Sequence, residues 1–66
     1  MLVTVKQLLI QNGYTVKNLT ERLWKKNVMV SYEMVKHYCR SWSTDFGDPD
    51  VWAVIRECLR EMEVNW

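Results

Sequence analysis

The sequence predicts an all-α fold of four helices in a single domain, residues 1–66. Three observations lead to this prediction. Apolar residues recur at steps of three and four, as they do on the buried face of a helix. A capping residue precedes each of these periodic segments. Pro and Gly are scarce, and an apolar fraction of 48% is ordinary for a globular protein rather than a disordered one.

Helix one is predicted at 5–12. Thr4 and Gln7 have the spacing of a capping box, in which a hydroxyl and an amide satisfy two backbone donors at the start of a helix. Asn12-Gly13 is predicted to end this helix, because Gly accepts the left-handed conformation that follows a C-cap.

The start of helix two has two candidates. Thr15 can cap it, whereas Asn18 with Glu21 offers a rival capping box slightly later. Asn27 is the predicted left-handed stop. The apolar segment 28–30 is too short for a helix and is predicted to be an extended turn.

Helix three is predicted at about 32–42, with Ser31 as its cap, and the polar stretch 43–48 is predicted to be a loop. Helix four is predicted at about 49–63. Its opening places an acidic cap before Pro49 and a second acid after it, next to the positive end of the helix dipole. The apolar stripe of this helix consists of Val51, Trp52, Val54, Ile55, Cys58, Leu59 and Met62.

The aromatic and thiol side chains are interpreted mainly as core residues. Trp24, Trp42 and Trp52 occupy helical positions where core packing is expected, and Trp66 is expected to dock on the fold or on a partner. The two cysteines are predicted to be small apolar core residues with reduced thiols. Two cysteines are too few for a secreted disulfide framework.

Catalytic, metal and membrane functions find little support in the sequence. Side chains at positions 37 and 39 diverge by about 200° around a helix, and no fourth ligand has suitable spacing, so no metal site is predicted. The chain has one His and no Gly-rich phosphate loop, so neither an enzyme nor a cofactor is expected. No apolar run approaches the roughly 18 residues of a membrane span, and the N-terminus lacks signal-peptide features. A cytoplasmic location is therefore predicted.

Charge is distributed unevenly along the chain. Residues 1–42 contain seven basic and two acidic side chains, a net charge of +5, whereas residues 43–66 contain two basic and six acidic ones, a net charge of −4. Such asymmetry favours a basic face for an anionic partner. Solvated helix surface is the alternative explanation.

Four short motifs between Leu8 and Leu59 share a family resemblance. They are Asn12-Gly13-Tyr14-Thr15, Leu19-Thr20-x-x-Leu23, Ser31-x-x-x-Val35-x-x-Tyr38 and Asp48-Pro49-Asp50-Val51. Together they resemble the lambda-repressor-like helix-turn-helix domains of phage and bacterial regulators, with the helix-turn-helix at about 15–42. The turn from Trp24 to Val30 is longer than the family's Leu-Gly-Val-Ser, and the usual fifth helix is absent or reduced to the tail.

The resemblance implies a small, sequence-specific DNA-binding regulator that places helix three in the major groove of double-stranded DNA. The residues implied to contact bases are Tyr32, Glu33, Lys36, His37 and Arg40. Those implied to lie near backbone phosphates are Thr15, Lys17, Lys25 and Lys26. The acidic fourth helix is expected to stay away from DNA.

A homodimer and a protein partner are the further predictions. The wide stripe on helix four predicts a dimer interface made of Val51, Trp52, Ile55, Leu59 and Met62. The alternative function is a small protein–protein interaction module or inhibitor. It would bind a host protein through exposed aromatic side chains and the acidic fourth helix.

Overall fold

The computed structural model describes residues 3–41 and 47–65. This part of the chain contains four α-helices and no strand. The helices are α1 (Val5–Gln11), α2 (Val16–Lys25), α3 (Tyr32–Cys39) and α4 (Pro49–Glu61). The all-α prediction is confirmed for these ranges. Most of the predicted loop at 43–48 lies outside the described residues, as do Trp42 and Trp66. Among the described helices, none has both the length and the apolar character needed to cross a bilayer.

The helices begin where the capping residues predict. The Thr4 hydroxyl accepts from the backbone N–H of Gln7, whose side-chain oxygen accepts from the Thr4 N–H at 3.0 Å. At the start of α2 the same reciprocal pair joins Thr15 and Asn18, so Thr15 is the cap and the later candidate is wrong. The predicted cap Ser31 is also confirmed, since its hydroxyl accepts from the Met34 N–H at 3.1 Å.

Three helices end in the same hydrogen-bond pattern. After α1, α2 and α4 the chain places one residue in the left-handed region: Gly13 (φ 80°), Asn27 (φ 63°) and Glu63 (φ 60°). The next backbone N–H then donates to a carbonyl five residues earlier, at 2.8–3.0 Å. This is the Schellman motif, which satisfies carbonyls that a helix end leaves without partners. The predicted stops at Gly13 and Asn27 are confirmed.

Two helices are shorter than predicted. α3 ends at Cys39 rather than 42, because Arg40 is its C-cap and the Ser41 N–H turns back to the Tyr38 carbonyl at 3.2 Å. α4 ends at Glu61 rather than 63, because position 63 is used for the left-handed stop.

The core forms where α2 packs against both α3 and α4, while α1 packs against α3. Its fully buried side chains come from all four helices. They include Val5, Leu9, Leu19, Leu23, Val35, Cys39, Ile55, Cys58 and Leu59. Both cysteines are free thiols in this core, as predicted, and burial raises the pKa of Cys39 to about 12.

The apolar stripe of α4 faces the interior of the single chain. Trp52, Ile55, Leu59 and Met62 are all buried, and Val51 is partly buried. Packing within the chain therefore explains the width of the stripe that led to the predicted dimer interface. The homodimer stays a prediction, but it would need a different surface from these four side chains.

Tyr38 fastens the beginning of α4 to α3. Its buried hydroxyl accepts from the Asp48 N–H at 2.7 Å, and its ring centroid lies 4.9 Å from that of Trp52. Gly47 has a φ of 75°, and a Cβ there would overlap the Tyr38 ring. A residue without a side chain is therefore required where the chain crosses this tyrosine.

Candidate nucleic-acid interface

α3 has a buried side and an exposed side, as the sequence predicts. Val35, Tyr38 and Cys39 are buried in the core. The five predicted base-contact positions fall within an arc of about 140° on the other side of the helix, at 100° per residue. Of these, Tyr32, Glu33, His37 and Arg40 are exposed and Lys36 is partly buried. Arg40 lies at the C-cap rather than inside the helix, so it is at the far end of this exposed side.

The exposed side of α3 is mixed in charge rather than uniformly basic. Lys36 Nζ lies 3.8 Å from a carboxylate oxygen of Glu33 and 5.3 Å from the centroid of the Tyr32 ring. The Glu33 side chain is 81% exposed, so this ion pair is weak and easily exchanged for another partner. Arg40 adds a second basic side chain at the end of the helix.

Lys26, one of the predicted phosphate contacts, forms ion pairs with carboxylates of α4. Its ammonium donates to Glu61 at 2.8 Å and to Glu57 at 3.3 Å, both on α4. The hydrogen bond with Glu61 raises the pKa of Lys26 and lowers that of Glu61. Arg22 lies 3.9 Å from the same Glu61 carboxylate. Some of the basic side chains of α2 therefore form ion pairs with acidic side chains of α4 within the same chain, instead of facing an external partner.

The other predicted phosphate contacts are at the surface. Lys17 and Lys25 are exposed on α2. Thr15 is exposed as well, and its hydroxyl oxygen is occupied as the acceptor of the cap. A hydroxyl has one proton to donate, so Thr15 can still give that proton to a phosphate oxygen.

Trp24 was expected in the core and this expectation is wrong. Its side chain is 46% exposed, and its indole N–H donates to the Val30 carbonyl at 2.7 Å. At 100° per residue, position 24 lies about 90° from the centre of the buried stripe of α2. This angle could have indicated from the sequence that Trp24 is at the edge of the core. The indole therefore closes over the turn between α2 and α3 instead of packing inside.

Met29 is the feature of this region that sequence reasoning missed. It is 84% exposed, although Val28 and Val30 on either side are partly buried against the core. Adjacent side chains of an extended segment point to opposite sides. If Val28 and Val30 face the core, this rule would have indicated from the sequence that Met29 is exposed.

No protein-family model, curated protein or solved structure matches this chain. The resemblance to lambda-repressor-like domains therefore stays a prediction. Within residues 3–41 and 47–65, no group of three His, Cys, Asp or Glu side chains is placed to hold a metal ion.

Proposed function

We propose that this protein is a small sequence-specific DNA-binding regulator whose α3 enters the major groove of duplex DNA. The observation that supports this most is the division of α3. One side is fixed in the core by Val35, Tyr38 and Cys39, and the other presents only polar, charged and aromatic groups. An α-helix with its side chains is about 10–12 Å in diameter, which matches the width of about 12 Å of the major groove.

The exposed groups on α3 have the chemistry of base readout. Lys36 and Arg40 can donate to guanine O6 and N7, and Glu33 can accept from cytosine N4. The weak Glu33–Lys36 ion pair would be exchanged for these contacts. Lys17, Lys25 and the Thr15 hydroxyl would donate to phosphates, which positions the domain without reading sequence.

The general binding test is the salt dependence of affinity for a fluorescein-labelled duplex, measured by fluorescence anisotropy. Each neutralised phosphate adds about −0.9 to the slope of log affinity against log salt. With Lys17 and Lys25 as the two cations at phosphates, the slope should be about −1.8, and affinity should fall by about tenfold or more between about 50 and 200 mM salt. No detectable binding to any duplex at low salt would refute the proposal.

Lys25 and Lys26 provide a matched pair for this measurement. Lys25→Ala should make the salt slope shallower by about 0.9, because it removes one phosphate contact. Lys26→Ala removes the same charge from the next residue but leaves the slope unchanged, because that ammonium is engaged with Glu61. Equal effects of the two substitutions would contradict this assignment of phosphate contacts.

The test of base readout uses a duplex selected from a random pool by the native protein. Lys36→Ala or Arg40→Ala should cost about 1–3 kcal/mol on that duplex and relax preference at one base pair. Lys25→Ala should weaken all duplexes about equally. If neither α3 variant changes affinity while helicity is retained, α3 is not the reading helix.

Protein binding is the second candidate function, and one observation favours it. Three of the four exposed large apolar side chains among the described residues, Trp24, Met29 and Tyr32, fall within one short segment. Exposed apolar clusters mark interaction sites. The contribution expected from the acidic α4 is weaker, because Glu57 and Glu61 pair with α2. Peptides selected by display against the native chain, and lost on Met29→Ala, would support this candidate.

A further inference from the structure

The segment 24–32 carries three of the four exposed large apolar side chains among the described residues. It runs from the last turn of α2 to the first residue of α3 and contains Trp24, Met29 and Tyr32. Met29 is the most exposed of them, at 84%, and lies two residues before the cap of α3. A large apolar side chain so exposed contributes nothing to the core.

The turn that displays Met29 is fixed by four hydrogen bonds, one of which spans Met29 from the Val30 N–H to the Val28 carbonyl at 3.1 Å. The Val28 N–H donates to the Leu23 carbonyl at 3.0 Å, and the Asn27 N–H donates to the Trp24 carbonyl at 2.9 Å. The Trp24 indole N–H then reaches the Val30 carbonyl at 2.7 Å. The backbone on both sides of Met29 is thereby held when the chain folds. Little ordering of this turn would remain to be achieved on binding, which favours affinity.

Met29 also lies close to the N-terminal end of α3, the end that would contact bases in the major groove. Three Cα steps separate it from Tyr32, so the two Cα atoms are at most about 11 Å apart. Successive bases on one strand are about 3.4 Å apart along the helix axis. Met29 is therefore within about three base pairs of Tyr32, and N-terminal residues of a recognition helix are those that contact base edges.

The chemistry of Met29 matches one group in the major groove. A thioether side chain has no strong hydrogen-bonding group, and thymine presents a C5-methyl group there, which cytosine lacks. The Tyr32 ring, with the Lys36 ammonium 5.3 Å from its centroid, offers a second apolar surface next to a cation. Duplex DNA is favoured over a protein partner because of the cations of α2 and α3 around the segment, among them Lys25 and Lys36.

We propose that Met29, with Tyr32 beside it, contacts thymine C5-methyl groups, so that the lengthened turn reads sequence alongside α3. This inference rests on the proposed function, and it adds thymine as a target of the turn. Trp24 is a positioning residue in this arrangement, because its indole holds the turn through Val30 and acts on DNA through Met29.

The test compares duplexes that contain thymine with the same duplexes made with uracil, which lacks only the C5-methyl group. Sequences are first selected from a random pool, and each thymine of the selected duplex is then replaced singly. The native chain should lose about fourfold in affinity at each contacted methyl. Met29→Ala should bind the thymine duplex more weakly and show no loss at the methyl that Met29 contacts. This is the coupling that a double-mutant cycle measures.

Two further variants complete the design. Ile10→Ala removes a side chain that is 60% exposed on α1, and it should keep the full thymine-to-uracil ratio. Trp24→Phe should lower that ratio, because it removes the indole N–H that holds the Val30 carbonyl and so positions Met29. A merely structural role for Trp24 would weaken both duplexes equally and would overturn its assignment as a positioning residue.

The proposed function and this inference fail in distinguishable ways. If no duplex is retained at low salt, the proposed function fails and the inference fails with it. If duplexes are selected but every single uracil replacement affects the native chain and Met29→Ala equally, the inference alone is overturned. The exposed segment would then be assigned to a protein partner.

Discussion

The two turns on either side of α2 end their helices in the same way but differ in length. In the first, Gly13 is left-handed and the Tyr14 N–H donates to the Leu9 carbonyl at 2.8 Å. The next residue, Thr15, already caps α2. The turn is complete in three residues between the last residue of α1 and that cap.

The second turn repeats this stop and then continues. Asn27 is left-handed and the Val28 N–H donates to the Leu23 carbonyl, but two more residues precede the cap Ser31. The extra pair brings a partly buried Val30 and an exposed Met29. The longer turn is thus a full helix stop followed by a two-residue insertion. Its second half is held by the Trp24 indole, which donates to the Val30 carbonyl, and by a backbone hydrogen bond from the Val30 N–H to the Val28 carbonyl at 3.1 Å.

The largest losses of stability should come from substituting the leucine whose carbonyl accepts the last hydrogen bond at each helix end. Leu9 and Leu23 supply the accepting carbonyls, and both side chains are completely buried. Each substitution to Ala should cost about 2–5 kcal/mol, which is most or all of the stability expected for so small a core. Urea denaturation followed by circular dichroism at 222 nm measures the loss. Ile10→Ala, at an exposed position, serves as the control and should change stability by less than about 0.5 kcal/mol. A small loss at only one leucine would show that the two turns are not equivalent.

The left-handed positions should respond in opposite directions. Gly13→Ala should cost about 1–2 kcal/mol, because an L side chain is strained at φ 80° although no atom lies within 4 Å of the new Cβ. Asn27→Gly should stabilise by up to about 1 kcal/mol, because it relieves the smaller strain that Asn carries there. Thermal unfolding checks both, at about 4–8 °C for each kcal/mol in a domain of this size. A stabilising Gly13→Ala would contradict the proposed equivalence of the stops.

Removing the hydrogen bond between the Trp24 indole and the Val30 carbonyl, which holds the longer turn, should have a smaller effect on stability. Trp24→Phe keeps an aromatic ring but removes the indole N–H that donates to the Val30 carbonyl. The expected cost is about 0.5–1.5 kcal/mol, typical for one hydrogen bond. Chemical denaturation measures this cost. Unchanged stability in this variant would mean that the two-residue insertion does not depend on the indole hydrogen bond.

The smallest effect should come from the C-cap residue of α2. Lys26 pairs with Glu61, whereas the C-cap Asn12 of α1 donates from its own side chain to the Leu8 carbonyl at 2.8 Å. The pKa of Glu61 is lowered by the Lys26 hydrogen bond, so the pair contributes stability above pH 4.5 and loses it as the pH falls through the lower folded-state pKa.

Glu61→Gln should therefore be slightly less stable than the native chain at neutral pH, and the difference should vanish in acid. The pKa of Lys26 is raised above 10.5, so the same contribution persists through the neutral range and is lost only at higher pH. Urea denaturation at a series of pH values follows the difference. Glu21→Gln controls for the loss of one negative charge on α2. A difference that persists below the folded-state pKa of Glu61 would contradict the ion-pair explanation.

Local signals predicted most of the secondary structure. Thr4, Thr15 and Ser31 act through hydrogen bonds to backbone groups three residues away, so their role depends little on the rest of the chain. Gly13 and Asn27 likewise act within their own turns. The ends of α3 and α4 were harder to predict, because Arg40 and Glu63 carry no intrinsic signal for ending a helix.

The candidate site was predicted only in part. The exposed side of α3 follows from the spacing of its apolar residues, and the structure keeps those five positions on one side. The predicted role of Lys26 could not be judged from sequence, because Glu61 is 35 residues away and meets it only when α4 packs on α2. The exposure of Trp24 and Met29 depends in the same way on how the turn closes.

The sequence by itself determined the all-α class, the helix starts, two of the three left-handed stops and the apolar stripes, because each depends on contacts within a few residues. Tertiary packing decided that the α4 stripe faces the core of the single chain. It also decided that Lys26 meets Glu61, and that the turn after α2 shows Met29 while burying part of its neighbours. These outcomes depend on where distant elements meet, and the spacing of residues along one helix does not specify that.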